Sequence, residues 1–326
     1  MNKRLVFWLK TVLLVVVAGV IGWKLYSAWS NVGAQKIAVD WRYGVVAVAG
    51  FCASMLTSGL VWRGLAYKME SVHPPLLPLV GAYTFSQMGK YIPGKVALLL
   101  MRIERSSRFG MDAGVCTLAT LLENALYMVS GGLVGMLAIA RLTAELKGAQ
   151  QALIWPATIG GVVLLGALCA PPVFYRLVNA LLRKMKKVEV AREQRLSSVS
   201  LILAVVAFFP SWVFGGIALW GSTQAVQALP LEESWWFAGA FALSVIIGMA
   251  SLLPGGAVTR EFLIGIAVTI ALSPAVGQNR AVVLAGVVAI LQRLFQIIAE
   301  ILMGLTGMML TAKRQSHPPA ISSPKE

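Results

Sequence analysis

Six stretches of the chain stay apolar for long enough to cross a bilayer: Trp8–Trp29, Tyr43–Trp62, Ala113–Ala140, Ala152–Tyr175, Ser198–Trp220 and Ala281–Thr311. A hydrocarbon core of roughly 30 Å takes about 20 residues of helix. Most of the ten tryptophans stand near the ends of these runs, where an amphipathic ring anchors at the interface. The first run follows Lys3 and Arg4 but is too long for a signal peptide, and Ser-Ala-Trp-Ser-Asn after it offers no small-x-small cleavage site. It reads as a retained first helix.

Two further apolar regions are interrupted. Leu76–Met88 is short and breaks at Gly-Lys-Tyr-Ile-Pro-Gly-Lys (Gly89–Lys95) before a second apolar run to Met101. Trp235–Leu253 meets Pro254, Gly255 and Gly256, then Arg260, Glu261 and an apolar run to Leu272. Proline removes a backbone donor and clashes with the preceding turn, while glycine tolerates the dihedrals of a reversal. Each region reads as helix, break, helix. The simpler alternative is an ordinary loop at the membrane surface.

Basic residues in the loops choose between these. Arg176, Arg183, Lys184, Lys186, Lys187, Arg192 and Arg195 make the Arg176–Arg195 segment the strongest cytoplasmic signal. Lys3, Arg4 and Lys10 place the N-terminus inside, and Lys313 with Arg314 the C-terminus. If each broken region enters and leaves on one side, 63–74, 102–112 and 176–197 all fall inside and Glu232–Glu233 outside. If the first region crossed once, Arg176–Arg195 would move outside. The expected fold is therefore an all-α polytopic membrane protein of six transmembrane helices and two re-entrant hairpins. It occupies residues 1–313 as one membrane domain, with a disordered cytoplasmic tail over 314–326. Two halves, about 5–140 and 152–311, repeat the order helix, helix, broken hairpin, helix. They start on opposite sides, so the repeat is inverted, and Pro93-Gly94 and Pro254-Gly255 correspond. Paired interruptions in inverted halves point to a transporter's substrate site.

Composition agrees. Of 326 residues, 58% are hydrophobic and 13% charged, against about 25% charged in a soluble domain. The net charge of +15 falls mostly between apolar runs, so it reads as topology signal and contact with anionic head groups rather than with nucleic acid. Cys52, Cys116 and Cys169 lie in apolar stretches without CxxC spacing, and His73 and His317 have no metal-site companions, so neither a disulfide framework nor a metal is expected. P-loop, GxSxG and Asp-x-Asp patterns are missing. No enzymatic activity and no cofactor are expected.

Charge inside a bilayer costs at least about 2.5–3.5 kcal/mol per residue at a helix centre. Lys90, Lys95 and Arg102 flank or follow the first break, and Arg260 and Glu261 follow the second. Glu123 lies inside the third long run, and Arg293, Gln296 and Glu300 form one polar stripe on the last. Gln87 adds an amide near the first break. If the breaks meet near the midplane, free N–H groups after Gly94 and Gly256 and the five cations suit a phosphate. Glu123, Glu261 and Glu300 would balance those charges or carry a coupling proton. The alternatives are a structural ion-pair network, with Arg260 neutralised by Glu261 or Glu123, and snorkelling of Lys90, Lys95 and Arg102 to the interface. Gly131-x-x-x-Gly135 reads as close helix packing.

Gly89-Lys90-Tyr91-Ile92-Pro93-Gly94-Lys95-Val96 with Arg102, Glu123, Pro254-Gly255-Gly256 with Arg260-Glu261, and Arg293 together resemble one family. It comprises the membrane domain of lysylphosphatidylglycerol synthases and its stand-alone, flippase-like bacterial relatives. The resemblance runs from about Val6 to Met309. It implies movement of lipids or lipid-linked precursors between leaflets of the bacterial inner membrane. It does not imply synthase activity, because no aminoacyl-transferase domain follows before Glu326. Two positions depart from the pattern: Ala257-Val258-Thr259 stands where the family has glycine, and Asn124 where it often has arginine. The expected function is translocation of an anionic phospholipid or an isoprenoid-phosphate-linked sugar. The rivals are a membrane enzyme of glycolipid or polysaccharide synthesis, and an accessory subunit recruiting cytoplasmic biosynthetic enzymes through Arg176–Arg195.

Overall fold

The computed structural model describes residues 37–69, 75–91, 96–145, 156, 159–161, 163, 166, 167, 170–184, 195–250 and 258–312. The Trp8–Trp29 run, most of Ala152–Tyr175, the break residues Pro93, Gly94, Lys95, Pro254, Gly255 and Gly256, and the 314–326 tail lie outside these residues.

Every regular element among the described residues is helical: α1 (Trp41–Met69), α2 (Leu76–Ser86), α3 (Ala97–Ser107), α4 (Ala113–Glu145), α5 (Pro171–Lys184), α6 (Ser198–Ala207), α7 (Phe209–Gln224), α8 (Ser234–Ala250), α9 (Thr259–Val276) and α10 (Gln278–Ala312). A 3-10 turn, Gln87–Tyr91, prolongs α2. The α6–α7 junction falls just before Pro210, whose missing N–H forbids a continuous ladder there. Among the described residues, five spans, with α6 and α7 taken together, are long and apolar enough to cross a membrane: Trp41–Met69, Ala113–Thr143, Ser198–Gln224, Thr259–Val276 and Gln278–Ala312. Large apolar side chains also face outward, among them Val199, Ile202, Ile290 and Met309. Water would not tolerate so much exposed apolar surface, and lipid does. The chain is an all-α, multi-pass membrane protein.

A helix stands on each side of both interrupted regions, and these arms pack on one another: α2 against α3, and α8 against α9. Gly89 permits the first reversal, because a Cβ there would stand 2.6 Å from the backbone nitrogen of Leu98. The two hairpins differ in size. The first has arms of 11 residues each, about 16 Å. The second has arms of 17 and 18 residues, about 26 Å. The second arm continues through Pro274 beyond the expected Leu272, and by length alone could cross.

The packing between the two sequence halves is reciprocal. The first arm of the first hairpin, α2, packs along α10, and the first arm of the second, α8, packs along α4. Glycine allows both crossings. A Cβ on Gly307 of α10 would stand 2.4 Å from the Gly81 carbonyl oxygen, and one on Gly239 of α8 would stand 2.5 Å from the Ala138 nitrogen. Gly131 and Gly135 sit beneath Trp212 and Leu243, as the close-packing reading of that pair requires. The helices α1 and α7 pack along each other through the middle, joined by the buried hydroxyls of Ser54, Ser58 and Ser211.

Candidate functional site

Among the described residues, the buried charged side chains gather into two groups. The first lies between α2, α3 and α4. Arg102, 1% exposed, donates from Nε to Ser86 (3.1 Å), from Nη1 to Thr120 (3.3 Å), and in an ion pair to Glu123. Its guanidinium lies over the Tyr83 ring at 4.2 Å and near the Trp62 ring at 5.0 Å. The other Glu123 oxygen accepts from the Tyr83 hydroxyl at 2.8 Å, and Trp62 Nε1 donates to Thr120. Arg102 therefore does not snorkel to the interface. Rings and acceptors of the protein enclose it on every side named.

The second group lies along α10. Arg293 stands near the middle of this 35-residue helix, and Gln296 and Glu300 follow on the same face. Gln296 donates to Glu300 (2.6 Å), and Lys90, at the first break, forms an ion pair with Glu300. From the second hairpin, Glu261 lies 3.7 Å from the Arg293 Nε, longer than a hydrogen bond. Gln292, one turn before Gln296, is 1% exposed and also belongs to the stripe. The first break and the start of α9 thus come to neighbouring turns of one helix face. The residues at the centre of both breaks, 92–95 and 251–257, lie outside the described residues.

Arg260 leaves two buried nitrogens without a hydrogen-bond partner among the described residues, where Arg63 and Arg105 each leave one. It is 8% exposed, and neither Nε nor Nη2 has a hydrogen-bond partner among the described residues. Its guanidinium lies 4.9 Å from the centre of the Phe241 ring. Arg293, Glu300 and Glu261 are near enough for their charges to act on it, but no carboxylate bonds to it directly. Glu123 is committed to Arg102, and Glu261 faces Arg293. The alternative in which Glu261 or Glu123 pairs directly with Arg260 is therefore not the arrangement found among the described residues. A buried charge costs several kcal/mol, and the ring returns about 0.5–2 of that. Among the described residues, Lys90, Arg260 and Arg293 stand against Glu261 and Glu300: three cations to two carboxylates.

Tyr127, one turn along α4 from Glu123, is close enough to feel both Glu123 and Arg260, and so stands between the groups. Sequence reading missed Tyr83, Thr120, Tyr127 and Gln292. A signal existed for two of these: Thr120, Glu123 and Tyr127 repeat the i, i+3, i+7 spacing of Arg293, Gln296 and Glu300. Lys95, Pro93, Gly94 and Pro254–Gly256 lie outside the described residues.

Val258, which precedes α9, has φ 69° and ψ −52°. This is left-handed backbone that a β-branched residue adopts only under strain. It falls within the Ala257–Thr259 stretch where the resembled family has glycine. Val258→Gly is expected to stabilise the fold by about 1 kcal/mol, the strain relieved exceeding the entropy that glycine adds to the unfolded chain. Thermal unfolding in detergent measures this, and a lowered midpoint would mean that packing of the valine side chain outweighs its strain.

No family model matches the chain, and no curated protein matches it in sequence.

Proposed function

We propose that the chain moves an anionic lipid between the leaflets of a bacterial inner membrane, with Arg260, Arg293 and Lys90 receiving its phosphate. The one observation that carries this reading is Arg260, a buried guanidinium with two donors unsatisfied among the described residues. A phosphate accepts from both nitrogens of an arginine fork at once and supplies the missing countercharge. Glu261 and Glu300 hold the neighbouring cations while the site is empty, and Arg102 with Glu123 fastens the first hairpin to α4. The substrate is a phospholipid or an isoprenoid-phosphate-linked sugar.

This reading includes the finer topology. The two broken hairpins are re-entrant, the halves form an inverted repeat, and both termini face the cytoplasm. The reciprocal packing of α2 on α10 and α8 on α4 supports it, since an inverted pair would exchange its hairpin arms in this way. The break motifs support kinship with the membrane domain of the lysylphosphatidylglycerol synthases.

Native mass spectrometry of the purified protein tests the head-group site. The wild-type chain should retain an anionic lipid, and Arg260→Gln should lower its retention ten-fold or more, the loss of a charge-assisted bond of about 1.5–3 kcal/mol. Equal retention by both proteins would remove Arg260 from the site.

A further inference from the structure

Between α9 and α10 runs a cavity of about 710 Å³ that shares Glu261 and Arg293 with the second polar group. It follows α10 from Gln278 to Ile297, a length of about 28 Å. Small residues hollow its walls: Gly265 on α9, where a Cβ would meet open space, and Ala285, Gly286 and Ala289 on α10. Outward-facing Ile266 and Ile290 flank it. The lining is almost wholly apolar except at three places: Gln278 at one end, Thr269 between, whose hydroxyl donates to the Gly265 carbonyl, and Glu261 with Arg293 toward the other end.

An ordinary lipid-facing surface is ridged by large side chains and carries no charge at mid-depth. This groove is concave and terminates beside the cation cluster. We propose that it holds one hydrocarbon chain of the anionic lipid, with the phosphate at the Arg293 end and the chain running toward Gln278. The inference rests on the head-group reading above and specifies where the tail lies during passage. The volume fits one chain better than two. A methylene group displaces about as much as a water molecule, about 30 Å³, so the cavity takes on the order of two dozen such groups. Two long acyl chains need more. Charge complementarity selects the occupant, because the one cation in the groove's lining among the described residues, Arg293, belongs to the phosphate site.

The test uses the full chain in nanodiscs with phosphatidic acid carrying a photoreactive diazirine in one acyl chain. Phosphatidylcholine with the same chain serves as the control. Cross-links should map to the 265–269 and 285–290 segments, with about ten-fold higher yield for phosphatidic acid. Gly265→Trp should fill the groove and cut that yield about ten-fold. Its melting temperature should stay unchanged, because the added side chain enters open space. It should still bind water-soluble dihexanoyl phosphatidic acid, whose chains are too short to need the groove.

Equal labelling by both lipids would mean ordinary boundary lipid and would overturn the proposal. Absence of groove labelling, with dihexanoyl phosphatidic acid still held through Arg260, would mean that another segment of the chain fills the groove. The tail site would then fall while the head-group site stood. If the wild-type protein fails to bind the short-chain lipid at all, the head-group reading fails and this inference with it.

Discussion

Arg102→Gln is expected to lose about 3–5 kcal/mol of stability, the largest effect of any single substitution in the described part of the chain. The reason is the carboxylate left behind. Glu123 would keep the Tyr83 hydroxyl but lose its countercharge in a site that rings and helices close to solvent. Breaking one side of a buried pair leaves an uncompensated charge, whereas replacing both sides with apolar residues of similar volume is often neutral. The double variant Arg102→Met/Glu123→Leu should therefore recover most of what Arg102→Gln loses. A thermodynamic cycle over both singles and the double isolates the coupling. A well-folded Arg102→Gln that fails only in lipid handling would move Arg102 from the scaffold into the site.

Arg260 should behave in the opposite way. Its two donors without a partner among the described residues and its weak ring contact mean that the fold gains little from its charge. Arg260→Gln should keep or slightly raise the unfolding temperature while lowering lipid translocation ten-fold or more. Arg260→Lys should restore only part of the rate, because an ammonium cannot reproduce the planar two-point contact. Two arginines of similar burial thus separate a structural role from a functional one. The criterion is whether the protein itself satisfies the guanidinium. If Arg260→Gln instead unfolds and a change at Glu261 rescues it, the two form a structural pair.

The last helix was legible in the sequence because charge in an apolar run is expensive and therefore conspicuous. Arg293, Gln296 and Glu300 announce their shared face by spacing alone, and Lys90 and Arg260 by their position beside a break. What each charge pairs with was not legible. Glu123 could serve Arg102 or Arg260 on any local criterion, and only the crossing of α3 with α4 decides for Arg102. The aromatic walls around Arg102 gave no signal, since Trp62 and Tyr83 are unremarkable in apolar helices. Val258 shows a conflict between levels: its side chain disfavours the left-handed backbone it holds, so local propensity points away from the geometry that launches α9. The unequal hairpins were hidden for a related reason. Both regions carry Pro-Gly between apolar runs, but arm length depends on where each helix stops, and Pro274 did not stop α9.

In the proposed function, the chain carries anionic lipid across the bilayer. The most direct measurement places purified wild-type protein in vesicles of phosphatidylcholine containing a trace of chain-labelled fluorescent phosphatidylglycerol, and follows access of a membrane-impermeant quencher to the inner-leaflet label. The account predicts that the inner pool becomes accessible in protein-containing vesicles and stays protected in protein-free ones. It also predicts that vesicles with Arg260→Gln resemble the protein-free sample. An inner pool that stays equally protected with and without wild-type protein, for phosphatidylglycerol and for an isoprenoid-phosphate-linked sugar probe alike, would contradict it.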